Sequence, residues 1–239
     1  MKFKETIKKY IQKTGFTIAR YPVPDQKRRI LAYHNFKIDT LLDVGANSGQ
    51  YAGLMRELGY KGKIHSFEPT SMAFDLLRNR SKRDKSWDIH QLAIGANTGE
   101  IDINISENSF SSSILEIEKL HVKNAPQSRY INKETVPIET MDNLFPVITK
   151  GAKSIYLKID TQGYESEVLK GAENSLPKIQ CIQLEMSLVK LYKNEWLFEE
   201  AISYLKKKYF EIYTIEPEFY DTGTGQLLQI DAIFFNKNI

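Results

Sequence analysis

Several acids and glycines of this chain stand at the ends of apolar runs, where strands would deliver them to one edge of a sheet. In "LLDVGANSGQY", Asp43 sits near the end of such a run, and Gly45 and Gly49 frame a turn containing Asn47 before helix-forming residues resume. The next run, "IHSFEPT", closes on Glu68. A third, "SIYLKIDTQGYESEVLKGA", delivers Asp160, turns at Gly163 and enters a helix at Glu165 that ends at Gly171. A fourth, "IQLEMS", carries Glu185.

A strand running through a glycine turn into a helix offers backbone N–H groups and close backbone approach to a nucleotide-like ligand. A dinucleotide fingerprint reads G-x-G-x-x-G, but here the pattern is D-x-G-x-x-x-G. The carboxylate of Asp43 repels a pyrophosphate and suits a cationic amino group, such as that on the methionine part of S-adenosylmethionine. Glu68, about twenty residues beyond the glycines, stands where an acid accepts both ribose hydroxyls. Either acid could instead cap the helix that follows it.

Asp160 and Glu165 are the candidate catalytic acids. Asp160 could act as a base toward an acceptor hydroxyl; both could equally serve as first-turn acids of the helix. Glu185 has three readings: a hydrogen-bonding partner of the acceptor, a structural acid, or a partner of Asp160 in holding Mg²⁺. Two carboxylates in separate motifs are a thin metal signature, so no metal is predicted. His65, His90 and His121 read as structural histidines.

The elements that position these residues follow from periodicity. Apolar runs over Thr40–Val44, Lys63–Phe67, Asp88–Ile94, Ser154–Ile159 and Ile179–Leu184 alternate with helical patterns over Gln50–Leu58, Ser71–Arg78, Glu165–Lys170 and Leu197–Lys207. That alternation predicts a parallel α/β sheet. "YFEIYTI" and "LLQIDAIFFN", separated by the turn-rich "EPEFYDTGTGQ", predict a closing antiparallel pair. An insert between Gly95 and Pro146 holds an alternating strand and a serine run, and would shape a substrate site with the late loop. Ser112 and Ser113 there, and Tyr220 with Phe219 as an aromatic lid, are candidate acceptor contacts.

Composition sets the class. At 239 residues the chain suits one domain with decoration. Its single cysteine, Cys181, excludes an internal disulfide and a cysteine-based zinc site. The absence of a long apolar segment or an export-type start predicts a cytoplasmic protein. Net charge is +3, yet ten Lys/Arg against two Asp/Glu fall within residues 1–37, about +8, leaving the remainder near −5. Residues 1–37 thus read as a basic helical appendage and 38–239 as the main domain. The appendage could touch an anionic membrane surface or nucleic acid, or simply cover the flank of the domain. A homo-oligomer stays open.

The motifs "LLDVGANSGQYA", "IHSFEPT", "LAIGANTGEI", "FSSSIL", "LKIDTQGYESEVLKGA", "IQLEMS" and "QIDAIFF", spread over residues 38–236, resemble those of FkbM-type methyltransferases. The resemblance implies a Rossmann-like class I methyltransferase fold: a mostly parallel seven-stranded sheet with a C-terminal antiparallel hairpin and an insert after the third strand. It also implies S-adenosylmethionine as cofactor and O-methylation of a hydroxyl on a sugar, glycan or related small molecule. Asp43, Gly45, Asn47 and Gly49 match the family's cofactor turn, Glu68 its ribose-binding acid, and Ala93 its adenine-side strand end. Two other function classes stay open. One is a nucleic-acid methyltransferase, disfavoured because "DTQG" stands where an N-P-P-Y-like motif would follow the fourth strand. The other is a non-catalytic Rossmann-like binding module, disfavoured by the presence of Asp43, Glu68 and Asp160 together.

Overall fold

The computed structural model describes residues 10–16 and 21–239, so the basic N-terminal segment lies partly outside the described residues. Among the described residues ten strands, β1 to β10, form two sheets. β1 (Thr40–Val44), β2 (Lys63–Phe67) and β3 (Trp87–His90) lead the main sheet. β4 (Ala93–Ile94), β5 (Gly99–Ser106) and β6 (Tyr130–Glu139) form the second. β7 (Ile155–Ile159), β8 (Cys181–Ser187), β9 (Phe210–Tyr220) and β10 (Leu227–Asn236) complete the first, in the order β3-β2-β1-β7-β8-β10-β9. Every pairing from β3 to β8 is parallel, and β10 runs antiparallel to both β8 and β9. All five residues of β1 and of β7 are buried, as expected for central strands covered on both faces.

Among the described residues the α-helices seen over their full length are α1 (Pro24–Asn35), α2 (Gln50–Glu57), α3 (Ser71–Ser81), α4 (Lys119–Asn124), α5 (Met141–Ile148), α6 (Glu165–Lys170) and α7 (Phe198–Lys207). Pro24 opens α1 at the position where a missing N–H costs nothing. The buried ring of Tyr33 on α1 lies 4.9 Å from Tyr60 and 4.5 Å from Tyr156. This helix of the basic N-terminal segment is therefore built into the core. Among the described residues no helix is long and apolar enough to cross a membrane.

Two boundaries differ from the sequence reading. The run Asp88–Ile94 is divided: β3 pairs with β2, whereas Ala93 and Ile94 pair with Ile138 and Glu139 of β6 in the second sheet. The "EPEFY" stretch is strand, so only 221–226 turn. Pro217 is tolerated because, among the described residues, β9 is the sheet's edge, with an outer side that needs no N–H donor. Phe219 and Tyr220 consequently sit on a strand instead of a mobile loop.

The insert is the three-stranded sheet β4-β6-β5 with α4. It is tied to the main domain at both loops that matter. Asn47 Nδ2 donates to the Ser109 carbonyl at 3.2 Å, and Ser113 Oγ donates to the Gln162 carbonyl at 2.7 Å.

Candidate active site

The carboxyl ends of β1, β2, β7 and β8 and the insert enclose a cavity of about 370 Å³. One end is largely apolar, with Phe67, Leu92, Ala93 and Ile94 around Glu68 and the β1 turn. The other carries Asp160, Gln162, Glu185, Gln229 and Glu218, with the rings of Phe219 and His121.

The β1 turn is shaped by its neighbours. Gly45 has φ +73°, and a Cβ there would lie 1.8 Å from the Asp160 carbonyl oxygen, so only glycine lets the tips of β1 and β7 meet. Gly49, at φ +77°, lies against Leu77 and the Trp87 ring, outside the cavity wall. Asn47 lines the wall, and its side-chain oxygen accepts from the Ser48 N–H at 2.7 Å. Glu68 is buried: Oε2 accepts from the Asn47 N–H at 2.9 Å, and Oε1 from the Thr70 N–H at 2.9 Å and hydroxyl at 2.5 Å. Burial raises its pKa against those hydrogen bonds. Oε2 has one partner and so keeps capacity for a ligand hydroxyl.

Asp43 stands behind the wall, fully buried. It accepts from Ser66 Oγ at 3.1 Å and lies 3.5 Å from Lys158 Nζ, which departs from the expectation of a carboxylate presented to a ligand's amino group. Lys158, missed by the sequence reading, also donates to the Gly45 carbonyl at 3.1 Å and reaches Asp160 at 3.3 Å. Burial opposes its charge, but Asp160 and Asp43 outweigh it and its pKa is raised. One ammonium thus fastens the ends of β1 and β7 together. Its only sequence signal is a single charge inside the apolar run "IYLKI".

Asp160 lines the cavity and is about one-third exposed. Gln162 Nε2 bridges it to Glu185, donating at 2.9 Å to Asp160 Oδ1 and at 2.9 Å to Glu185 Oε2. Gln162, at φ +56°, is oriented through its Oε1, which accepts from Tyr192 at 2.7 Å. Glu185 also accepts from Gln229 Nε2 at 3.1 Å. Burial, followed by the charges of Asp160 and Glu165, pushes the Glu185 carboxyl well above the usual carboxylate range. Among the described residues no group of three or more metal-ligating side chains converges.

Glu165 does not line the cavity. Its Oε1 accepts from the Thr161 N–H at 2.8 Å and the Gly163 N–H at 3.2 Å, bracing the loop that carries Asp160. Burial is the main cause that raises its pKa to about 7. A raised carboxyl pKa means that the folded chain binds more protons than the unfolded one between about pH 4.5 and 7. Glu165 therefore contributes stability that is full below that window and lost as pH rises through it. Glu165→Gln should flatten that part of the stability profile in urea melts taken from pH 4.5 to 8; an unchanged slope would remove Glu165 as its source.

Ser112 lines the cavity, but its hydroxyl accepts from the Ser106 N–H at 3.1 Å; Ser113 is pinned to the Gln162 carbonyl and lies outside the wall. Tyr220 is half exposed and outside it too, whereas Phe219 lines it with its ring 5.4 Å from His121. Of the predicted residues the cavity gathers Gly45, Asn47, Glu68, Ala93, Ser112, Asp160 and Glu185. His65 and His90 stack on each other away from it. His121 is a buried wall residue, its pKa lowered to about 4 by burial.

A profile described as "Methyltransferase FkbM domain" matches residues 43–212. The chain is 28% identical over 163 residues to "2-O-methyltransferase NoeI" of Sinorhizobium fredii, covering 65% of this chain and 66% of the relative. It is 29% identical over 160 residues to "Hexuronic acid methyltransferase AglP" of Haloferax volcanii, covering 66% of this chain and 60% of the relative. The aligned stretches thus span less than two thirds of either relative's length. Among solved structures, an rRNA methylase from Streptococcus thermophilus superposes with a TM-score of 0.49 at 8% identity, over 92% of this chain and 99% of that one. A likeness of that degree carries no inference about activity. The match over residues 43–212 spans well over half of the chain, and the protein belongs to the methyltransferase FkbM domain family.

Proposed function

We propose that this protein is an S-adenosylmethionine-dependent O-methyltransferase whose acceptor is a hydroxyl of a sugar or glycan. The observation that carries the reading is the Asp160–Gln162–Glu185 bridge at the polar end of a cavity whose other end is apolar around Glu68. The apolar end suits an adenine, with Ala93 and Ile94 along it and the free capacity of Glu68 for a ribose hydroxyl. When bound, S-adenosylmethionine supplies an electrophilic methyl on a sulfonium. The chain's own part is to hold the acceptor oxygen in line, exclude water and receive the hydroxyl proton. Asp160 accepts that proton, while Gln162 fixes one of its oxygens and Lys158 balances its charge. Glu185, held beside Asp160 by Gln162, hydrogen-bonds a neighbouring acceptor hydroxyl and orients the ring. Of the two relatives, one is named for 2-O-methylation, which supports an oxygen acceptor, and the other for a hexuronic acid, which supports a carbohydrate.

Calorimetric titration with S-adenosylhomocysteine, run beside NAD⁺, tests the cofactor. Micromolar binding of the first alone is expected, and Glu68→Ala should weaken it by about 1.5–3 kcal/mol. Unchanged affinity in Glu68→Ala would take that carboxylate out of the site, and binding of NAD⁺ alone would overturn the reading. Turnover that persists in EDTA checks direct proton transfer against a Mg²⁺-held hydroxyl.

A further inference from the structure

The cavity wall carries four carboxylates, Glu68, Asp160, Glu185 and Glu218, and no lysine or arginine among the described residues. Glu68 belongs to the apolar end; the other three border the end formed by β7, β8 and β9. Two buried cations behind this end are already paired. Lys158, 7% exposed, is held between Asp43, Asp160 and the Gly45 carbonyl. Arg29, 13% exposed, is held by Glu216 and Asp231. Neither lines the cavity. His121 does, but burial keeps its ring neutral at physiological pH, so it supplies no positive charge.

An acceptor bearing a carboxylate, phosphate or sulfate would bring a further negative charge against Asp160 and Glu218, with no cation on the wall to receive it and Lys158 already shared between Asp43 and Asp160. Like charges juxtaposed in a partly desolvated site are a strong device for rejecting wrong partners. A hydroxyl-rich or amino-bearing ring meets the opposite situation: Asp160 accepts from O–H or N–H groups, Glu185 and the Gln229 amide exchange hydrogen bonds with hydroxyls, and Phe219 gives an apolar face to the ring.

We infer that the acceptor is a neutral or amino sugar and that sugars with an anionic group near the methylated hydroxyl are rejected by Asp160 and Glu218, on a wall with no cation to receive the charge. This rests on the sugar O-methyltransferase reading above, and it sets the acceptor of this chain apart from that of the relative named for a hexuronic acid. Selectivity against anionic sugars comes from the wall itself, and Glu218, on the edge strand β9, contributes to it without a place in the proton path.

The test is methyl transfer by the full chain from S-adenosylmethionine to matched panels of methyl glycosides of the same configurations. The panels are neutral, 2-amino, uronate, and uronamide as the uncharged counterpart of the uronate. The kcat/KM of the uronates is expected to be at least about thirtyfold below that of the neutral glycosides, with the uronamides recovering most of the loss. Glu218→Lys should narrow the gap between uronate and uronamide by roughly tenfold, and rising salt should narrow it in the parent chain. Transfer to uronates equal to or better than to uronamides would overturn the inference while leaving the sugar reading intact. A gap unmoved by Glu218→Lys and by salt would overturn the electrostatic origin. Transfer to no glycoside of any panel, with S-adenosylhomocysteine still bound, would overturn the sugar reading and the inference with it.

Discussion

Asp160→Asn is expected to leave S-adenosylhomocysteine affinity within about threefold while lowering kcat by roughly 10²–10⁴, the range for removing a positioned general base. The substitution keeps the shape of the side chain. The β1–β7 junction should survive it, because Lys158 keeps Asp43 and the Gly45 carbonyl as partners. Asp160 is also the most exposed of the carboxylates that Lys158 touches, so its charge matters least to folding. What the amide cannot do is take a proton. Its NH₂ group would also oppose either the Gln162 Nε2 or the Lys158 ammonium, loosening the bridge to Glu185. Measuring kcat, KM and cofactor affinity separates these effects: a base lowers kcat at nearly constant affinity, whereas a fault in the turn would weaken the cofactor first. Turnover within tenfold of the parent would remove Asp160 from the proton path.

The acids at the strand ends were legible in the sequence because chain order alone decides which residues a parallel sheet delivers to its carboxyl edge. That is how Glu68, Asp160 and Glu185 could be placed at one cavity from three apolar runs. Central strands were legible for a related reason: burial on both faces demands an unbroken apolar run, as in β1 and β7. The division at Gln91–Leu92 was hidden, since one alternating run serves two sheets and only the spatial partner, β6, reveals the step. Gln162 and Gln229 were hidden because their roles arise from strands and loops that meet only in space: Gln229 reaches Glu185 across the antiparallel β8–β10 pair. Glu165 and Ser113 show a different limit. Their types suit chemistry, but local backbone groups use them first, Glu165 bracing its own loop and Ser113 pinning a neighbouring one.

The largest stability loss is expected at Arg29, on a helix outside the span matched by the family. Its Nη2 donates to Glu216 Oε2 at 2.8 Å and lies 3.7 Å from Asp231 Oδ2, with all three side chains less than one-fifth exposed. Asp231 accepts in turn from Gln183 Nε2 at 2.7 Å, whose Oε1 takes the hydroxyls of Tyr51 at 2.7 Å and Tyr156 at 3.0 Å. Arg29→Met keeps most of the stem packing but leaves Glu216 and Asp231 with an uncompensated buried charge. Breaking one side of such a pair costs about 3–5 kcal/mol, which at a urea slope of about 1–3 kcal/mol/M moves the midpoint by more than about 1 M. Neighbouring Arg28, whose side chain is 42% exposed and 3.9 Å from Glu216, should cost only about 0–1 kcal/mol on replacement by Ala. Adding Glu216→Gln to Arg29→Met should restore part of the loss, because the second change removes the charge that the first leaves stranded. If Arg29→Met costs no more than Arg28→Ala, the two carboxylates find water or a proton without it, and the helix is mere cover. If it costs the expected amount, a chain begun at the family boundary would lack a counter-charge for β9 and β10, the strands that carry Glu218 and Gln229 to the cavity.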